Sequence, residues 1–180
     1  MVLGASFLTA RRRGVVRPAA YARTQVVLHW LIAVLVVVQY ATSRAIVRTH
    51  AIHMIGQRQN PTDLLLHNLH TKLGLGLVAL MTGRLLFRLW AGAPELAGDV
   101  PPWASRAAQL VHAAFYAVLI VEGLTGAVAS YFWWPISVAH VILFKLLLGL
   151  VGVHVAAVLW HAVVLKDGTL GRMSPKQLTE

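Results

Sequence analysis

A chain of 180 residues with 58% hydrophobic and only 12% charged residues is too apolar for a water-soluble domain, where charged residues make up about a quarter. It contains no cysteine, which excludes disulfides, iron–sulfur clusters and thiolate-held zinc and leaves nitrogen and oxygen as donors for any metal. A formal charge of +10 would suggest nucleic acid in a soluble protein, but beside membrane spans the basic residues are topology signals, and no nucleic-acid partner is expected.

Residues 1–23 carry Arg11, Arg12, Arg13, Arg17 and Arg23 after an apolar stretch too short for a signal-peptide core. Arg17 and Pro18 interrupt the chain after the arginine cluster, which argues against twin-arginine export, so the segment reads as a cytoplasmic tail. Four stretches then meet the requirement of about 20 mostly apolar residues, at about 1.5 Å each, for a helix that crosses the hydrocarbon layer. They are residues 24–43, 64–90, 105–132 and 136–165. Pro61 and Asp63 precede the second, Pro94, Pro101 and Pro102 follow it, and Pro135 separates the third from the fourth. Between the first two lies a stretch that reads as a polar, histidine-rich loop holding Arg44, Arg48, His50, His53 and Arg58.

The basic residues are unevenly divided. The tail, the linker between the second and third stretches (Arg84, Arg88, Arg106) and the C-terminal end (Lys166, Arg172, Lys176) fall on one side, whereas Arg44, Arg48 and Arg58 fall on the other. The positive-inside rule therefore places both termini in the cytoplasm. Tyr131, Trp133 and Trp134 form an outer aromatic belt, and Trp90 and Trp103 an inner one. The expected fold is all-α: an integral membrane four-helix bundle running up-down-up-down, with tails at residues 1–23 and 167–180 around a membrane domain at 24–166.

Ionisable groups cost several kcal/mol in hydrocarbon, and those found there usually face the bundle interior and serve a pathway or a cofactor. His29, His70, His112, His140, His154 and His161 all fall within the four stretches. His140 and His154 are 14 residues apart, which is roughly 40° short of four full turns and a rise of about 21 Å. They share a face at two depths, as axial ligands of two separate haems in one bundle would. Zinc needs three or four ligands at one point, which this pair does not offer. Depth pairs His70 with His140 for an outer haem and His29 with His154 for an inner one. His161, seven residues after His154, and His112, near the cytoplasmic start of the third stretch, fit an inner ligand position equally on depth. His67, nearer water, reads as a polar or proton-handling residue, and His50 and His53 as solvated loop residues.

Several short motifs occur in a fixed order: Leu28-His29-Trp30, Leu69-His70, Met81-Thr82-Gly83-Arg84-Leu85-Leu86, Val111-His112-Ala113, Val153-His154-Val155-Ala156-Ala157 followed by His161, and the closing Lys-Asp-x-Thr-Leu-x-Arg-Met-x-Pro at residues 166–175. Together they resemble the bacterial cytochrome b561 family over roughly residues 21–175. The resemblance implies an inner-membrane protein of four helices with two b-type haems, held by His29, His70, His140 and His154. It further implies an oxidoreductase that takes single electrons from a periplasmic donor, superoxide in some members, and passes them through both haems to membrane ubiquinone. The other function that fits such a bundle is a haem-b anchor subunit joining a separate dehydrogenase or hydrogenase to the quinone pool. A proton-relay transporter lacks support, because the chain shows no internal repeat.

Glu122 in the third stretch and Lys145 in the fourth depart from the resemblance. They lie at similar depths and are expected to form an ion pair, since either charge alone in hydrocarbon is costly. Lys72 and Lys145, close in sequence to His70 and His140, join Arg44, Arg48 and Arg58 in a positive outer field that would steer a small anion. The plainer role for both lysines is to neutralise haem carboxylates or to snorkel to the interface. On the inner side His161, His112, Arg84 and Arg88 are the polar residues available to a quinone.

Overall fold

The structure, a computed structural model, describes residues 21–92, 101–166 and 168–174; the tail arginines Arg11, Arg12, Arg13 and Arg17 lie outside them. Four long helices dominate: α1 (Arg23–Met54), α2 (Pro61–Ala91), α3 (Pro102–Tyr131) and α4 (Ser137–Trp160). A 3-10 turn, Trp134–Ile136, leads into α4, and a π turn, His161–Leu165, continues it. Each of the four is long and apolar enough to cross a membrane, the fourth as Trp134–Leu165.

Helix ends follow local chemistry. Asn60 caps α2 by accepting the Thr62 amide at 2.8 Å, Pro61 stands in the first turn with Asp63 behind it, and Gly92 closes the helix at φ +75. The π turn after α4 ends on Lys166 in the left-handed region.

Helix α1 is longer than its apolar stretch predicts. It runs on to Met54 and carries Arg44, Arg48, His50 and His53 as helical residues, so the link to α2 shrinks to residues 55–60. No proline or glycine stands between Pro18 and Gly56, and polarity alone does not end a helix. The extension is held laterally by the Arg48 guanidinium, which donates to both Asp63 oxygens at 2.9 and 3.0 Å.

Neighbouring helices pack side by side, α1 on α2, α2 on α3 and α3 on α4. The α2–α3 crossing is close because Gly123 has no side chain: a Cβ there would stand 2.1 Å from Val78 Cγ2 and 3.5 Å from the Gly74 carbonyl. The seam between α1 and α4 is bridged by rings at three levels: His50 on Trp134 (4.2 Å between centres), Tyr40 on Phe144 (6.1 Å) and His29 near His154 (6.3 Å). A compact apolar core of Ile32, Leu77, Met81, Tyr116, Val118, Leu119 and Leu147 fills the middle. The outward faces carry Val34, Val37, Val138, Leu146 and Val153, a surface suited to lipid. The segment after α4 returns to the start of α1, where the Trp30 indole donates to the Met173 carbonyl at 2.7 Å. The bundle thus has a terminal end, with Tyr21 and Met173, and a hairpin end, with the 55–60 link and Trp134.

Candidate functional site

On α4 the inward positions recur every seven residues as His140, Leu147, His154 and His161. Leu147 belongs to the core, so a buried apolar layer separates His140 from His154.

At the hairpin end, Thr42 of α1 gives its hydroxyl proton to the Val38 carbonyl at 2.8 Å, which leaves its oxygen to accept from His70 Nδ1 at 3.1 Å. His140 Nδ1 donates to the Glu122 carbonyl at 2.9 Å. Each imidazole therefore carries its proton on Nδ1 and presents the Nε2 lone pair, which is the tautomer of a metal ligand. Adjacent residues of α1 reach both helices at this level: the Gln39 amide donates to the His70 carbonyl at 3.0 Å, and Tyr40 stacks on Phe144, one turn after His140. Gly126 faces the His140 ring, and a Cβ there would approach Cε1 to 2.9 Å. Two buried side-chain oxygens at this level, Gln39 Oε1 and Glu122 Oε2, have no hydrogen-bond partner among the described residues.

At the terminal end, three imidazoles gather. His154 stands 6.3 Å from His29 and 6.2 Å from His112, centre to centre, and Phe115 packs edge-on against it at 5.5 Å. Two imidazoles on opposite sides of one metal, with bonds of about 2 Å and ring centres about 1 Å beyond each nitrogen, have centres roughly 6 Å apart. The structure sets both His29 and His112 at about this spacing from His154, with His112 Nδ1 tied to the Ala108 carbonyl at 2.7 Å. Among the described residues no three metal-binding side chains converge on one point.

Residues 20–176 match the prokaryotic cytochrome b561 family. This chain is a member of that family. Among similar proteins are cytochrome b561 homolog 1 of Escherichia coli K12 (26% identical, covering 87% of this chain and 98% of the relative), cytochrome b562 of Cereibacter sphaeroides (32%, covering 85% and 94%) and the probable superoxide oxidase CybB of Yersinia pestis (24%, covering 87% and 97%). The protein is accordingly an electron-transfer cytochrome that crosses the bacterial inner membrane several times, and its family implies haem b.

The side chains of this cytochrome fit such a group: its donors are imidazoles, the glycine at 126 leaves the His140 ring unobstructed, and thiolates are absent. Other polar residues stand differently from the sequence reading. Glu122 is buried, 8% exposed, and turns towards His140, with Oε1 3.4 Å from Nδ1. It does not pair with Lys145, which is exposed; five residues place Lys145 about 140° around the helix from His140. Lys72 is likewise exposed on α2, about 160° from His70. Both lysines project from the bundle surface.

Sequence reasoning missed one cluster entirely. His50 lies between Trp134 and His67, stacked on both at 4.2 and 5.2 Å, with Nδ1 on the Ile46 carbonyl at 2.8 Å. His67 donates to Thr49, which in turn donates to Ile46, repeating the Thr42–His70 arrangement two turns away. A threonine seven residues after another on α1, opposite two histidines on α2, was the available signal. His161 occupies the π turn, an irregularity often found at functional positions.

Proposed function

We propose that this cytochrome moves single electrons from an outer donor, superoxide, to membrane ubiquinone, using two haem b groups. His70 and His140 would hold one group at the hairpin end, and His29 and His154 the other at the terminal end, within a membrane domain at 24–166. When bound, haem b would supply a one-electron iron couple, and a pair of histidines holding it would favour electron transfer over oxygen binding. The balance is two superoxide anions, one quinone and two protons giving two dioxygen molecules and one quinol.

The observation that carries the reading is the set of imidazoles at two levels of the α1–α4 seam and its neighbours, with Nδ1 protons committed to Thr42 and Glu122 at one level and ring spacing suited to a shared metal at the other. The name of the Yersinia pestis relative supports superoxide as donor. The distribution of Lys and Arg supports an outward hairpin end and cytoplasmic termini. Lys72 and Lys145, at that end, act through the field they add for an anion approaching from outside, together with Arg44 and Arg58. Arg48 contributes less, because Asp63 neutralises it. The quinone is assigned to the terminal end, where His161 sits in the π turn.

The test is to purify the protein, record reduced-minus-oxidised spectra, then supply superoxide and a ubiquinone analogue. The reading predicts b-type bands and superoxide-dependent quinol. Bands without quinol would instead leave a membrane cytochrome that serves a separate dehydrogenase.

A further inference from the structure

Arg84 and Arg88 are one helical turn apart on α2 and face inward, partly buried. Like charges at that spacing repel, and charge in the hydrocarbon region calls for a counter-charge. Among the described residues none is within reach: Asp63 is bound to Arg48 and Glu122 lies beside His140, both towards the hairpin end. What surrounds the arginines is a cleft lined by Tyr21, Gln25, Tyr116 and the two guanidiniums.

This cleft is built rather than incidental. Gln25 is 4% exposed, and its side-chain amide donates to the Gly92 carbonyl at 3.0 Å while its backbone carbonyl accepts from Arg84 Nη1 at 3.0 Å. That contact fixes one arm of Arg84 and leaves further N–H groups for a ligand. The same contact ties Arg84 to α1 one helical turn before His29. Paired guanidiniums with two phenols nearby suit planar anionic oxygens, carboxylate above all.

We propose that Arg84 and Arg88 are the clamp for the two carboxylates at the edge of the haem held at the terminal end, with Tyr21 and Tyr116 as auxiliary hydrogen-bonding groups. The inference rests on the dihaem reading above. Cations beside the iron favour its reduced state, which carries one positive charge less, so the clamp raises the reduction potential of that haem and leaves the other unchanged.

The experiment uses the full chain with Arg84→Gln and Arg88→Gln, singly and together, in a potentiometric titration followed at the b-type bands, with haem content and co-purifying phospholipid measured on each sample. In the double variant one of the two components is expected to move to lower potential by a tenfold change in its oxidised-to-reduced ratio, 59 mV for one electron, while the other stays in place. Arg84→Lys with Arg88→Lys keeps the charge but loses the fork, and is expected to stay closer to the unsubstituted protein. If the double glutamine variant does not assemble, the single variants carry the same criterion. Absence of b-type bands in the unsubstituted protein would remove the haem reading itself. Bands present with both components unmoved would overturn the clamp alone. Unmoved potentials with a loss of bound anionic phospholipid would also overturn it and assign the arginines to a lipid phosphate.

Discussion

The Thr42 hydroxyl decides the state of His70: having given its proton to Val38, it can only accept, which fixes the imidazole proton on Nδ1. Replacing Thr42 by valine removes that acceptor at nearly constant volume. Loss of such an outer partner costs about 10–100-fold in metal affinity, and the same range is expected for the rate at which one haem passes to apomyoglobin. Gly126 gives an independent check at the other ligand. Gly126→Ala places a methyl 2.9 Å from the His140 ring, whereas Gly76→Ala meets nothing within 4 Å. The first variant is expected to lower haem content or displace one spectral component and the second to leave both as they are. His140, His70, His29 and His154 were legible as candidates from their depth in apolar stretches. The fate of Glu122 was not, because depth says nothing about direction around a helix, and direction separates it from Lys145.

The helices were visible in the sequence wherever hydrophobicity marks them, and hidden where it does not. All four spans follow from apolar length, and the start of α2 from Asn60, Pro61 and Asp63. The last turns of α1 are polar, so hydropathy ends the span near Ser43 while the backbone continues to Met54. That continuation places His50 between His67 and Trp134, a contact between distant parts of the chain that no local pattern encodes. The α2–α3 crossing depends on Gly123. Gly123→Leu is expected to destabilise the bundle by about 1–3 kcal/mol through overpacking against the stiff Val78, read as a lower melting temperature in detergent, while Arg48→Ala at the exposed end is expected to leave it unchanged.

For the molecule as a whole, charge and hydropathy specify a four-span membrane protein, and family membership adds electron transfer with haem b. Charge also predicts a rate. If an outer positive field steers superoxide, the second-order rate falls as ionic strength rises, and Lys72→Gln with Lys145→Gln flattens that dependence; stopped-flow mixing at several salt concentrations measures it. The central claim concerns the iron sites, and the most direct measurement is haem b per polypeptide by the pyridine haemochrome method, on the unsubstituted chain beside His70→Ala and His154→Ala. Two haems per chain, with one lost in each variant, is the predicted result. One haem or none in the unsubstituted chain, or no loss in either variant, would contradict it.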